Sequence, residues 1–402
     1  MHVIGAGPAG LAAAIYLARE GLRPVVFEQA PNVGSRFNGD YQGLENWSTR
    51  EDVVEILAAL GIEVNFTCEP YDSGTFYAPS GRPHRLTTKR PMFYLVERGD
   101  GPDSLDRGLL QQALDAGVDI RFGRKIDRGE ADKIIVATGP RAPDAIARGV
   151  VFETSHPDAC FAFLGDHIAP RGYAYLLVHD GRATLATCLF DDFQAAPAYF
   201  ERTLRWVTNE VSLDIRNPHS FGGYVTFGIC PPWSRNDRLY FVGERANFQD
   251  ALWGFGLRYA LQSGVLAARA IARDENYDEL CRTHLVPRLE TAIANRTIFN
   301  QLGNQGYEWI LSRMPDRDVI ETLQSHHLPS KAKRLLYAVA GRHLPSHVRE
   351  KACSEEACTC LWCVHGKNVD TPAMDRCVEA IASTSNLKHL DHPTHDASKA
   401  SI

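Results

Sequence analysis

The chain has 402 residues, 44% of them hydrophobic and 23% charged. That is the make-up of a soluble globular protein with room for about two to four domains and a large core, and it excludes a disordered, collagen-like or disulfide-framework chain. A net charge of −6 and a pI near 6.2 leave no basic field for nucleic acid. No apolar run reaches the ~20 residues that span a bilayer. The glycine turn beginning at Gly5 leaves no signal peptide ahead of it, so a cytoplasmic protein is expected. The ten cysteines then read as thiols, metal ligands or redox groups rather than structural disulfides.

The first thirty residues read as one βαβ unit. Residues 2–4 are an apolar strand, Gly5-Ala6-Gly7-Pro8-Ala9-Gly10 a tight turn, residues 11–20 an alanine-rich helix stopped by Gly21, and residues 24–28 a second strand ending in Glu28. In this pattern Gly5 permits the turn, Gly7 lets a pyrophosphate approach the backbone, and Gly10 lets helix and strand pack closely. The helix N-terminus offers N–H groups and a positive dipole end, and Glu28 can accept from the adenosine ribose. A lone GxGxxG says little. Strand, turn, helix, strand and terminal acid in about 27 residues make a dinucleotide site, though the turn alone does not separate FAD from NAD.

Further along, residues 52–60 have helical spacing, residues 104–116 form a helix, and residues 133–139 are a buried strand ending at Gly139. Residues 159–190 break into short apolar stretches at Gly165, Gly172 and Gly181, as antiparallel strands do. Residues 238–242 read as a strand and 256–273 as a long helix. From about 276 the pattern is helical. Residues 383–402 contain no aromatic residue and read as a disordered tail.

Several stretches resemble the geranylgeranyl reductase family, within the FAD superfamily that includes para-hydroxybenzoate hydroxylase. Ile134-Ile135-Val136-Ala137-Thr138-Gly139 is similar to the second strand-turn of those flavoproteins. Tyr94-Leu95-Val96-Glu97-Arg98 is similar to the family's Val-x-Arg segment, and Arg171-Gly172-Tyr173-Ala174-Tyr175 to its Gly-Tyr-x-Trp strand. Leu239 to Ala246, with Gly243-Glu244, is similar to the third FAD segment. Gly254-Phe255-Gly256-Leu257, running on to Gly264, is similar to the helix that follows it. The likeness covers about residues 1–275. It departs at two points: the usual Gly-Asp is Gly243-Glu244, and Arg36-Phe37-Asn38-Gly39-Asp40 replaces a cysteine-glycine-glycine turn.

The resemblance implies an α/β fold: a Rossmann-type FAD-binding domain, 1–275, interleaved with a mostly antiparallel β substrate domain at about 62–100 and 150–235. A helical cysteine-bearing region, 276–382, follows. It implies FAD held by Gly5, Gly7, Pro8, Ala9, Gly10, Glu28, Arg98, Gly139, Gly243, Glu244, Gly254, Phe255 and Gly256. The helix after Gly256 would face the flavin's N1–C2=O edge and stabilise the reduced anion. Tyr173, Tyr175 and Trp253 are the candidates for touching ring or substrate. The reaction implied is reduction of a carbon–carbon double bond in an apolar, isoprenoid-like molecule. A flavin monooxygenase using NAD(P)H and oxygen, and an electron-transfer flavoprotein, are the alternatives.

No second complete GxGxxG unit follows. Gly99-Asp100-Gly101 reads as lacking a strand before it and Gly222-Gly223 as lacking a helix, so electrons would come from docked NAD(P)H, a redox protein or a second centre. Cys353, Cys358, Cys360 and Cys363 fall within eleven residues, where about 0.3 would be expected from ten in 402. Zinc favours paired Cys-x2-Cys knuckles, and only Cys360/Cys363 has that spacing. The missing nicotinamide unit places an iron–sulfur cluster ahead of zinc, with redox thiols behind both. Cys377 is a spare ligand or thiol. Cys68, Cys160, Cys188, Cys230 and Cys281 read as small core residues. Residues 331–344 make a basic amphipathic helix that fits anionic lipid, and a solvated basic face is the plainer reading.

Overall fold

The computed structural model describes residues 1–126, 131–140, 143–314, 318–339 and 378. A six-stranded sheet runs in the order Ser234–Arg235, Leu239–Phe241, Ile134–Val136, His2–Ile4, Val25–Phe27, Asp119–Arg121. Its neighbours are parallel except the short edge pair Ser234–Arg235 and Leu239–Phe241. The first helix, Pro8–Arg19, is buried on nearly every side, from Ala9 to Ile15 and again at Leu17. That is why it is alanine-rich instead of amphipathic. It packs on a second helix, Leu257–Arg273. The approach is so close that a Cβ on Gly264 would lie 2.1 Å from the Ala9 carbonyl oxygen.

Three strands form a separate antiparallel sheet, with Phe93–Glu97 between Tyr41–Glu45 and Cys68–Tyr71. A seven-stranded sheet has the order Arg216–Val225, Ala145–Glu153, Arg182–Leu189, Tyr173–His179, Ala159–Phe163, Ser73–Tyr77, Pro83–Thr87. It is antiparallel except where Ser73–Tyr77 meets Ala159–Phe163. The period of two sorts its side chains onto two faces. Ala174, Leu176 and Val178 pack under the helix Ala196–Glu210 with Phe200, Leu204 and Val207. Each fully buried Leu, Val or Phe there contributes about 1.5–3 kcal/mol. Tyr173, Tyr175 and Leu177 face the other way. Val378 is buried in the cluster beneath Ala196–Glu210.

After Arg273 the chain is helical: Tyr277–His284, Val286–Arg313, Val319–His327 and Lys331–Val339. Asn276 and Asp318 cap two of these by accepting from Glu279 and Ile320. Gly303, at φ +57, interrupts the longest.

Two expectations need correcting. The Gly99-Asp100-Gly101 turn does follow a strand, Phe93–Glu97, and precedes a helix, Leu105–Asp115. That strand belongs to the antiparallel sheet, so the turn does not form a parallel nucleotide-binding unit. The strand runs at 62–100 also divide. Cys68–Tyr71 and Phe93–Glu97 leave for the three-stranded sheet, and only Ser73–Tyr77 and Pro83–Thr87 join the large one.

Candidate functional site

Gly5, Gly139 and Gly243 follow the carboxyl ends of the parallel strands His2–Ile4, Ile134–Val136 and Leu239–Phe241, and Glu28 follows Val25–Phe27 beside them, where α/β sheets bind ligands. Gly5 takes φ +105, and a Cβ there would sit 2.4 Å from the Ala137 carbonyl oxygen. Gly7 caps the first helix with no side-chain hydrogen bond, and Pro8 opens it. The space over Gly7 is open, because a Cβ would meet nothing within 4 Å. The same holds for Gly139, at φ +75. Uncapped helix N–H groups beside an open glycine form a cradle for a phosphate.

Glu28 does more than await a ribose. Its Oε2 accepts from the Ala6 N–H and its Oε1 from the Ala30 N–H, both at 2.8 Å. The carboxylate thereby holds the glycine turn, and each oxygen keeps a second lone pair for a sugar hydroxyl. Gly243 lies against Ala9, with a Cβ distance of 3.1 Å, and its N–H donates to Ser263 Oγ at 2.8 Å. The next residue, Glu244, is therefore set beside the phosphate turn. Burial pushes its carboxyl up, while Arg36 and Arg98 pull it down. Arg98 is itself buried, bound to Asp106 at 2.8 and 3.0 Å and to Gln42 at 3.0 Å, with Phe37 beneath it at 4.1 Å.

The 250–256 turn has its own supports. Gly254 N–H donates to the Asp250 carbonyl at 3.0 Å, Asp250 N–H to the Phe255 carbonyl at 3.1 Å, and Trp253 N–H to Asp250 Oδ2 at 2.6 Å. Gln249 donates to the Gly254 carbonyl. Arg296, reaching in from the helix Val286–Arg313, donates to the carbonyls of Ala251, Leu252 and Arg171. Burial pulls its guanidinium down to about 9. On the sheet side, the Tyr173 hydroxyl donates to the Trp253 carbonyl. The Trp253 ring sits edge-on to Tyr173 at 5.5 Å and to Phe299 at 5.1 Å. Phe255 meets Trp47 at 5.0 Å and needs Gly43 to do so, since a Cβ on Gly43 would lie 2.6 Å from its ring.

Phe76, Tyr175, Trp253, Phe255, Met314 and Leu323 join one cluster between the two antiparallel sheets and the C-terminal helices, yet each is only partly buried. They make an apolar wall in front of the 250–256 turn. Burial raises the phenols of Tyr173 and Tyr175 well above their ordinary value, so both carry their protons at neutral pH.

Asp250, Arg296 and the ion pair Glu45–Arg258 behind the turn were not singled out from sequence. A charge that will be buried looks the same in sequence as one that will be solvated. Asp250 gives a pH prediction. Burial lifts its carboxyl to about 7, opposed by the bond from Trp253 N–H and by Arg296, with Glu45 adding to the rise. The folded state therefore holds a proton that the unfolded chain gives up near 3.9, so stability falls as pH rises from about 4 to 7. Asp250→Asn keeps an oxygen for Trp253 N–H and has no charge to bury. Its melting temperature is expected to be flatter across that window and higher than wild type at pH 8, as differential scanning calorimetry would show. A wild-type profile that rises through the window would contradict it.

Cys353, Cys358, Cys360, Cys363 and Cys377, expected to be metal ligands or thiols, lie outside the described residues. Among the described residues no group of three or more His, Cys, Asp or Glu is placed to hold a metal ion. Cys160 and Cys281 are buried as expected, but Cys230 is exposed and accepts from Asn247 at 3.4 Å, so it is not a core residue. In Lys331–Val339 two basic groups have partners on the preceding long helix: the exposed Arg334 pairs with Glu290 at 3.3 Å and Lys333 donates to Asn295. No helix among the described residues is long and apolar enough to cross a membrane.

Residues 3–42 match a family described as an NAD(P)-binding Rossmann-like domain. Over 313 residues the chain is 24% identical to a digeranylgeranylglycerophospholipid reductase of Methanosphaerula palustris, covering 66% of this chain and 74% of that one. Its fold is shared with a geranylgeranyl bacteriochlorophyll reductase-like protein of Thermoplasma acidophilum. That likeness has a TM-score of 0.64 at 19% identity, over 84% of this chain and 95% of the other. A flavin-dependent brominase has the same fold, with a TM-score of 0.59 at 16% identity over 84% and 96% of the two chains.

Proposed function

We propose that this chain, similar to geranylgeranyl-type reductases and folded as FAD-dependent oxidoreductases are, binds FAD and reduces a carbon–carbon double bond of an apolar, isoprenoid-like substrate. The observation that carries the reading is the open space over Gly7 at the uncapped start of Pro8–Arg19, with Gly243, the residue before Glu244, packed beside it on Ala9. The donor set suits the cofactor. Helix N–H groups and glycines meet phosphate, carboxylates meet ribose and ribityl hydroxyls, and a helix N-terminus backs the ring.

Bound flavin supplies two electrons as hydride. The protein does the rest. The N-terminus of Leu257–Arg273 stabilises negative charge on the ring edge. Trp253, Phe255, Phe76 and Met314 exclude water and orient the alkene. Tyr173 spends its proton on the Trp253 carbonyl, whereas the Tyr175 hydroxyl makes no hydrogen bond to a described residue. Tyr175 is thus the better proton donor, and Tyr173 fixes Trp253. Electrons enter from NAD(P)H or a redox protein. A metal centre on Cys353, Cys358, Cys360 and Cys363, iron–sulfur ahead of zinc, belongs to the same proposal.

The test uses protein purified without oxygen, with flavin, iron, zinc and acid-labile sulfide counted. Dithionite-reduced protein is then mixed with geranylgeraniol in detergent micelles, and flavin reoxidation is followed. The expected product carries two more hydrogens, and Tyr175→Phe should slow reoxidation at least about tenfold, more than Tyr173→Phe does. Oxygen uptake with a hydroxylated product would replace the reductase reading with the monooxygenase.

A further inference from the structure

Two apolar clusters meet at the 250–256 turn, and Trp253 stands between them. One holds the buried Trp47, Leu95, Val319 and Ile320. The other holds the buried Ala78, Leu164, Leu252, Phe299, Tyr307 and Leu311. Phe76, Trp253 and Met314 pack against both, and all three are only partly buried. The join between the clusters is therefore not filled as a core is filled.

Trp253 is held at this join by its backbone. Its N–H donates to Asp250 Oδ2 at 2.6 Å, and its carbonyl accepts from the Tyr173 hydroxyl. Arg296 fixes the carbonyls of Ala251 and Leu252 just before it. The indole is stopped from behind as well. It sits edge-on to Phe299 at 5.1 Å, and Phe299 stacks on Tyr307 at 4.6 Å. Swinging the indole into the second cluster would displace that buried pair.

An isoprenoid carries one double bond in each five-carbon unit. How far such a chain enters, counted in units, decides which bond lies at the ring. The indole of Trp253 has nine heavy atoms, so replacing it by a methyl group frees room for a further unit. We propose that Trp253 is the stop for the chain: its indole closes off the second cluster, fixes which double bond reaches the flavin and limits reduction to that bond. The proposal rests on the reductase reading and names the residue that sets its specificity.

The experiment supplies flavin-loaded protein, without oxygen, with excess dithionite and geranylgeraniol in detergent micelles, and the products are analysed by mass spectrometry. Each bond reduced takes a hydride from the flavin and a proton, two electrons in all, which dithionite replaces. Wild type is expected to add two hydrogens. Trp253→Ala is expected to add four, with the ratio of four- to two-hydrogen product raised at least about tenfold, the discrimination an apolar pocket obtains from size. Trp253→Phe should fall between them. Leu302→Trp, which refills the second cluster, should return the Trp253→Ala product toward two hydrogens. All these variants keep the backbone hydrogen bonds of the turn, and flavin content checks that they do. An unchanged product pattern in flavin-loaded Trp253→Ala, or a wild type that saturates every bond, overturns the proposal alone. Loss of flavin from both Trp253→Ala and Trp253→Phe would make the indole a cofactor contact and overturns it too. Flavin-loaded wild type that reduces no bond overturns the functional reading, and this proposal with it.

Discussion

Gly7→Ala should fold as well as wild type and lose its flavin, while Gly10→Ala should lose stability. The two glycines stand three positions apart in one turn, and sequence alone treats them alike. Gly7 has φ −79 and ψ 178, an extended conformation any residue adopts, and an added Cβ meets no atom within 4 Å. The methyl group therefore enters the space where the diphosphate would approach the backbone. A Cβ on Gly10 would lie 2.0 Å from the Gly5 carbonyl oxygen and 3.3 Å from Ala137. Neither neighbour yields easily, because one is backbone in the turn and the other directly follows the adjacent parallel strand Ile134–Val136. Overpacking of this kind costs about 1–3 kcal/mol, and more where backbone must move. Thermal unfolding with flavin-to-protein ratios separates the cases. Gly7→Ala is expected to melt within a degree or two of flavin-free wild type with FAD affinity down at least about tenfold, whereas Gly10→Ala melts several degrees lower. Gly7→Ala purified with a full complement of FAD would remove the cradle from the proposed site.

What could be read from the sequence was local. The first glycine turn and Glu28 belong to one strand-turn-helix-strand unit, with Glu28 22 positions from Ala6, and the segment around Gly254 lies within a few residues of its partners, so spacing reveals them. The alternation of Tyr173 and Tyr175 against Ala174 and Leu176 follows from the period of a strand, and the structure keeps it. The rest needed the fold. Cys68–Tyr71 and Ser73–Tyr77 are separated by one residue and look like one run, yet they enter different sheets. Gly43 reads as a weak point in a strand until Phe255, more than two hundred positions later, is found to occupy the room it leaves. Arg296 lies on a helix and reads as a surface residue, but its guanidinium holds Ala251 and Leu252 in place. The C-terminal helices thus supply a wall and a clamp for a site whose cofactor signatures all precede residue 257.

Glu45 and Arg258 are the second test with a large expected effect. They are 213 positions apart and both almost completely buried. Glu45 Oε1 accepts from Arg258 Nη1 at 3.2 Å and from Ser48 Oγ at 2.6 Å, and Oε2 accepts from the N–H groups of Trp47 and Ser48. Burial alone would raise this carboxyl, but Arg258 and the Ser48 bonds outweigh it and hold it below the usual glutamate range. Arg258 stands at the start of Leu257–Arg273, directly after the 254–256 turn, so the pair joins the strand Tyr41–Glu45 to the helix that would back the flavin. Glu45→Gln keeps an acceptor but leaves Arg258 buried without a counter-charge, with Arg288 also close by. Breaking one side of a buried pair costs about 3–5 kcal/mol, whereas replacing both sides is often nearly neutral. Glu45→Gln and Arg258→Met are therefore each expected to lower urea-unfolding stability by that amount and to shed flavin, and the double variant to recover most of both. The acid limb supplies a second check. Because the folded carboxyl titrates lower than the unfolded one, its stabilisation is complete above about pH 4.3 and is lost as pH falls through the folded value. Wild type should lose this increment on acidification, and the double variant should not. Additive losses in the double variant would show that the two residues act separately, and the tie between the strand and the flavin-side helix would then lie elsewhere.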